Sequence, residues 1–316
     1  MPIGRNAFRA HCGATTEADA MIIDAHVHIF PEYICQEREC YFDTEGAFEL
    51  LYDSPRSRLV TAESLLAAMD EDGVDRSVVF GFPWKSSDTY RRHNDYIMEC
   101  VARYPDRLVG FGCFDASHPA APSEAERCMD AGLSGIGELA FYESGIDGDA
   151  LDRLEPIMAV CRRHQCPVLV HTNEPVGHHY PGKAPIQPDQ IYRMAARFPD
   201  IPIILAHWGG GLFIYHLLKK HAEDILKNVW YDTAASPYLY RPGIWSVAAT
   251  AAGTDRILFG SDYPLIRPSR YFKDMAEGGL SHAQCRQIGG ENAARLLGLV
   301  DKTLNQSRRV SSEWPP

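Results

Sequence analysis

The chain has 316 residues, 45% hydrophobic and 23% charged, with a formal net charge of -11. That length and composition suffice for a large core, and a surface this acidic repels phosphate backbones, which excludes a broad nucleic-acid footprint. No apolar run reaches membrane-spanning length, so the expected partner is a small-molecule substrate, with no nucleic acid and no membrane.

Residues 1–20 contain Arg5 and Arg9 but no apolar stretch of the secretory kind. They read as a disordered or mis-assigned N-terminal extension, with Met21 directly before the first strand. Eight short apolar runs then follow, at 21–26, 77–82, 108–114, 135–139, 167–171, 203–207, 229–233 and 257–261. Most are continuous Val/Ile/Leu/Phe stretches, the pattern of parallel strands buried on both faces. Helical periodicity fills the intervals at 61–73, 88–104, 122–132, 149–164, 187–198, 211–228 and 242–253, and Ser281-His-Ala-Gln284 reads as a capping box. Eight alternations of strand and helix predict a (β/α)8 TIM barrel over 21–298, the more so as no glycine-rich dinucleotide fingerprint follows the first strand. The connection after strand 1, about 30–60, is long and rich in aromatics, which predicts a packed insertion over the barrel mouth. Residues 299–316 read as a C-terminal tail.

The nine cysteines are scattered without a repeated Cys-x-x-Cys. They read as reduced thiols of a cytoplasmic protein, although Cys35 and Cys40 share a loop in which they could pair.

Barrel enzymes carry their chemistry at the C-terminal ends of the strands. Strand 1 ends in His26-Val-His28, strand 4 in Glu138, strand 5 in His171, strand 6 in His207 and strand 8 in Asp262. Each alone is commonplace; together they place four imidazoles and two carboxylates on one rim. His26 and His28, two apart on a strand, share a face. With a carboxylate from Asp262 or Glu138 they suit Zn2+ or a similar transition metal. A metal-bound water, deprotonated near neutral pH, would supply hydroxide. Asp262 would take its proton and His207 would polarise a carbonyl. Trp84, His178, His179, Trp208, Tyr263 and Arg267 follow the strand ends and are the candidate substrate contacts.

Asp-Ala-His-Val-His, Ala-His-Trp-Gly-Gly-Gly and Phe-Gly-Ser-Asp-Tyr-Pro, in this order, resemble the amidohydrolase superfamily, specifically its amidohydrolase-related group. That group includes aminocarboxymuconate-semialdehyde decarboxylase, resorcylate decarboxylases and pyrone-dicarboxylate lactonase. The resemblance implies a divalent metal on His26, His28, His171 and Asp262, with His207 as acid/base or second-metal ligand. Where many two-metal members carry a carbamylated lysine on strand 4, this chain has Glu138, as in the TatD-like deoxyribonucleases. One or two ions are therefore compatible with the pattern, Zn2+ first, with Mn2+, Fe2+ or Ni2+ as substitutes. The resemblance also implies a homodimer through outer helices.

Glu138, an additional anionic ligand, favours a hydroxide-generating site. The expected function is therefore metal-dependent hydrolysis of an amide, ester or lactone bond in a small carboxylated substrate. The alternative is metal-dependent non-oxidative decarboxylation of an unsaturated or aromatic acid. A non-catalytic metal-binding barrel ranks third.

Overall fold

The computed structural model describes residues 21–299. The expectations for residues 1–20 and for nearly all of the C-terminal tail lie outside them. Eight strands appear in chain order: β1 (Ile23–His28), β2 (Arg76–Phe80), β3 (Leu108–Gly112), β4 (Gly135–Leu139), β5 (Val168–Val170), β6 (Ile203–Leu205), β7 (Val229–Asp232) and β8 (Ile257–Leu258). Each pairs in parallel with the next. The ring closes where Ala25 N–H donates to Phe259 O at 2.8 Å and His28 N–H to Tyr263 O at 2.9 Å, beside a parallel bridge between Val27 and Tyr263. This is the (β/α)8 barrel expected from the alternation.

Side-chain alternation divides the strands into two packed layers. Ile23, Ala25, Val78, Phe80, Val109, Phe111, Leu169, Ile204 and Leu258 fill the barrel interior. Ile22, Val27, Val79, Ile136, Val168, Val170, Ile203, Leu205 and Val229 belong to the larger core cluster that includes the surrounding helices. β1 breaks its own alternation. Its pairing with β2 slips between Asp24 and Val27, so an additional residue bulges there. Ile23 and Ala25 face inward before the bulge, and Val27 and Ile29 join the outer layer after it. The bulge thus turns His26 and His28 into the barrel, the re-aiming that bulges commonly perform beside functional sites.

Local chemistry sets the helix ends. Thr61 accepts the Ser64 N–H at the start of Ala62–Asp72, which Gly73 terminates at φ 76°. Ser86 and Asp147 cap Ser87–Arg103 and Gly148–His164 in the same way. Ser281 and Gln284 form the reciprocal capping box. One helical expectation fails: 211–228 is not one helix. The segment His207–Leu217 is a run of tight turns in which Trp208, Gly209, Gly210 and Gly211 all take positive φ, between 59° and 93°, and only Ala222–Leu226 is helical beyond it. The apolar spacing there reflects packing of a folded loop.

The chain after β1 packs against the barrel. It contains the short helices Glu32–Gln36 and Gly46–Tyr52 and a 3-10 turn at Arg38–Tyr41. The Phe48 ring, fully buried, lies 4.4 Å from Trp84, 4.7 Å from Tyr52 and 5.3 Å from Phe82 between centroids. Glu45, also buried, accepts the backbone N–H groups of Lys85 and Ser86, each at 2.9 Å. The insertion is therefore pinned to the start of Ser87–Arg103 by a charge on a helix N-terminus. Cys35 and Cys40 are free thiols. Among the described residues no helix is long and apolar enough to cross a membrane.

Candidate metal centre

The rim at the C-terminal ends of the strands gathers His26, His28, Glu138, His171, His207 and Asp262. Gly137 makes the position of Glu138 available. It holds φ 135°, and a Cβ there would sit 2.3 Å from Leu169 O on the neighbouring strand. The Glu138 carboxylate then spans the cluster. Its Oε2 lies 3.7 Å from His26 Nε2 and 3.6 Å from His28 Nε2, while Oε1 lies 3.0 Å from His171 Nδ1 and 3.7 Å from His207 Nε2. Asp262 Oδ1 is 3.7 Å from His26 Nε2 and 3.6 Å from His28 Nε2. His207 and Asp262 both sit in the left-handed region, at φ 55° and 60°. Each such conformation costs roughly 1–3 kcal/mol. It is held where the His207 N–H donates to Asp232 Oδ1 at 2.9 Å and the Asp262 N–H to His26 O at 3.0 Å.

The outward nitrogens of the rings have fixed acceptors. His26 Nδ1 meets Asp232 Oδ2 at 2.8 Å, His28 Nδ1 meets Gly81 O at 2.9 Å, and His207 Nδ1 meets Ala234 O at 3.0 Å. In the neutral rings these partners assign the proton to Nδ1 and leave each Nε2 lone pair facing inward. His171 is reversed: Nε2 meets Gly182 O at 2.9 Å and Nδ1 faces Glu138.

Burial opposes charge on the His26 ring, yet Asp232, Glu138 and Asp262 outweigh it and raise its pKa to about 10. Burial likewise opposes ionisation of Glu138, but His26, His171 and His207 hold its carboxyl well below the usual range. Burial, reinforced by the charge on His26, keeps His28 below the ordinary imidazole value. A cluster this rich in carboxylate demands positive charge, as protons or as a cation.

The residues fit a metal ion. His26 Nε2 and His28 Nε2 oppose each other at 3.3 Å, although both rings have their proton on the other nitrogen. Two lone pairs at that separation repel unless positive charge lies between them, either a proton on His26 or a metal ion that displaces it. Two nitrogen ligands about 2.0–2.1 Å from one tetrahedral ion stand roughly 3.3 Å apart. Donor atoms of His26, His28 and Glu138, of His26, His207 and Asp262, and of Glu138, His171 and His207 fall into three overlapping groups of metal-binding dimensions.

A cavity of about 420 Å³ opens above the cluster. His28, Glu138, His171, His207 and Asp262 line its floor, and His26 lies fully buried beneath. The insertion contributes Leu51, Tyr52, Arg56, Ser57 and Arg58 to the wall, which Tyr142, Tyr238 and Leu265 also line.

None of the six candidate substrate contacts lines this cavity. Trp84 is fully buried, packed against Phe48 and Tyr41, and donates its indole N–H to His93 at 2.9 Å. Trp208 belongs to the run of positive-φ residues; its buried ring packs 5.1 Å from Trp245 and donates to Ser236 Oγ at 2.8 Å. Tyr263 is buried, its backbone closing the barrel on β1. Arg267 is bound to Asp72 at 2.9 and 3.0 Å and to Glu71 at 2.8 Å. His178 and His179 are exposed on the loop after β5. Following a strand end places a residue near the mouth but does not fix where its side chain points.

Sequence reasoning missed Asp232, which ends β7 as His171 follows β5, and Asp24, which accepts the Ser261 N–H at 2.8 Å beside Asp262. Asp232 stands at a strand end, so the rule that found the other six residues could have found it. Burial pushes the Asp24 carboxyl up to about 7, partly offset by its bonds from Ser261. Arg56 and Arg58 were missed because the path of the insertion is not readable from spacing.

Comparison with known proteins places this geometry among related chains. Residues 23–299 match the family model described as Amidohydrolase, Amidohydro_2. The chain is 23% identical over 302 residues to gamma-resorcylate decarboxylase of Polaromonas sp., covering 77% of this chain and 90% of that protein. It is 22% identical over 264 residues to 2-amino-3-carboxymuconate-6-semialdehyde decarboxylase of Dictyostelium discoideum, covering 70% of each. In fold it is similar to 5-carboxyvanillate decarboxylase of Novosphingobium aromaticivorans, solved with manganese and 3-methoxy-4-hydroxy-5-nitrobenzoic acid. The TM-score there is 0.70 at 17% identity, covering 89% of this chain and 98% of the other. These relatives overturn the expectation of hydrolysis: all three are decarboxylases. Glu138 could not decide the reaction, because an anionic ligand serves equally to neutralise a cation that binds substrate oxygens directly.

Proposed function

Because the chain belongs to the Amidohydro_2 amidohydrolase family, we propose that it is a metal-dependent, non-oxidative decarboxylase of an aromatic or unsaturated carboxylic acid. The observation that carries this reading is the cluster itself, a metal-ready floor beneath a cavity whose wall presents Arg56 and Arg58. Among the described residues neither guanidinium has a carboxylate partner in an ion pair, so both are available to an anionic substrate. Tyr52, Tyr142 and Tyr238 add flat contact suited to a planar ring.

His26, His28, His171, Glu138 and Asp262 would hold the ion, with His207 alongside. Imidazole and carboxylate donors together suit several divalent transition metals. Manganese in the structural relative makes Mn2+ the first ion to test and Zn2+ the second. Bound there, the ion would supply Lewis acidity and an anchor for substrate oxygens.

The chain's own residues do the rest. Arg56 and Arg58 orient the acid, and the tyrosines and Leu51 keep water from its ring. Asp262 or His207, on the cavity floor, delivers a proton to the carbon that bears the carboxylate. The bond from that carbon to the carboxylate then breaks, its electron pair returns to the unsaturated system, and carbon dioxide leaves. Solvent restores the proton, so the balance is RCOO⁻ plus H⁺ giving RH plus CO₂.

The test is a panel of hydroxybenzoates and carboxyvanillate-type acids offered to Mn2+-loaded protein. Carbon dioxide released in step with substrate loss, and stopped by a chelator, supports the reading. Substrate loss without carbon dioxide sinks it.

A further inference from the structure

Asp232 is fully buried and touches no part of the cavity, yet its carboxylate joins two members of the cluster. Oδ2 lies 2.8 Å from His26 Nδ1, and Oδ1 accepts the N–H of His207 at 2.9 Å and of Ala234 at 3.0 Å. The contact with His26 crosses a whole strand. His26 stands on β1 and Asp232 on β7, with β8 and its continuation between them. Gly260 follows β8 at the crossing point. A Cβ at Gly260 would lie 2.9 Å from the His26 Cβ and 3.4 Å from the Asp232 Cβ. The missing side chain is what lets ring and carboxylate meet.

We propose that Asp232 is a positioning residue of the metal centre: it fixes His26 with its proton on Nδ1 and holds the left-handed turn at His207, so that both rings present Nε2 to one point. This rests on the metal-site reading given above. A carboxylate can only accept from the ring, so in the neutral imidazole that binds a metal the inward nitrogen is the unprotonated one. An asparagine has the same shape but offers an amide N–H. In Asp232→Asn, the amide oxygen can keep the His207 and Ala234 N–H groups while its nitrogen faces His26 Nδ1. Two donors then oppose each other, unless the ring moves its proton to Nε2 and turns N–H toward the ion. Partners of this kind typically set metal affinity by 10–100-fold.

The experiment compares wild type, Asp232→Asn and Asp72→Asn by chelator competition for Zn2+, with proton NMR of the zinc-loaded proteins. Asp72 is a control, a buried carboxylate held by Arg267 that takes no part in the cluster's hydrogen bonds. The account predicts a 10–100-fold weaker Zn2+ affinity in Asp232→Asn and wild-type affinity in Asp72→Asn. It also predicts a slowly exchanging, downfield imidazole N–H from His26 in zinc-loaded wild type, absent from Asp232→Asn. Unchanged affinity in Asp232→Asn, or equal losses in both variants, overturns the proposal. If Asp232→Asn does not fold, the wild-type spectrum decides, because a missing His26 Nδ1–H signal overturns it equally. Wild type that binds no divalent ion at all would instead remove the metal reading, a distinguishable result.

Discussion

Replacing Phe48 by alanine separates the wall of the cavity from its floor. The ring is fully buried at the centre of an aromatic cluster formed by the insertion (Tyr41, Phe42, Tyr52) and by residues that follow β1 and β2 (Phe30, Phe82, Trp84). Truncating a buried phenylalanine removes its transfer energy and leaves a cavity, together about 3–5 kcal/mol. Most of that loss falls on the contact between insertion and barrel, because the cluster straddles it. Tyr52, Arg56 and Arg58 ride on the insertion, whereas the ligand candidates stand on strands or just beyond their ends. Urea unfolding followed by tryptophan fluorescence should therefore show about 3–5 kcal/mol of destabilisation, with KM raised and metal content unchanged. A loss below about 1 kcal/mol would refute the view that this cluster pins the insertion. Metal lost in parallel would refute the separation of wall from floor.

Two further outcomes follow from the same geometry. Burial holds the His93 ring down at about 4, against 6.5 in the unfolded chain. The unfolded state therefore binds the proton first, and stability is lost as pH falls from about 6.5 to about 4, by roughly 3 kcal/mol for this group. His93→Gln keeps both an acceptor for Trp84 and a donor for Ile29 O without titrating. Its stability difference from wild type should shrink by roughly that amount between pH 7 and pH 4, and a constant difference would contradict the assignment. Exchanging Arg56 and Arg58 for methionine removes the charge-assisted contacts to an acid, worth about 1.5–3 kcal/mol each. KM for a carboxylated substrate should rise at least about tenfold with Zn2+ affinity unchanged; an unaltered KM would place substrate recognition elsewhere.

The barrel was legible in the chain because buried parallel strands leave continuous apolar runs and the helices between them carry caps that local chemistry fixes. Its strand-end residues were legible for the same reason, since His26, Glu138, His171, His207 and Asp262 all close such runs. What stayed hidden depends on direction in space. The bulge in β1 changes which face His26 occupies, but no residue type announces it. The glycines after His207 turn the chain through positive φ and carry Trp208 away from the mouth. Trp84 folds back beneath the insertion, and Arg267 spends its charge on Asp72 and Glu71. Asp232 shows the opposite error: it stood at a strand end in plain view and was passed over, although its partner 206 positions away is the first histidine of the cluster. The reaction was hidden most deeply, since one ligand set serves hydrolysis and decarboxylation alike.

The most direct measurement runs the Mn2+-loaded protein in heavy water on an acid labelled with carbon-13 at the carboxylate. The account predicts one labelled carbon dioxide per molecule consumed and one deuterium at the carbon it leaves. A product that keeps the labelled carboxylate and gains an oxygen from water would contradict it.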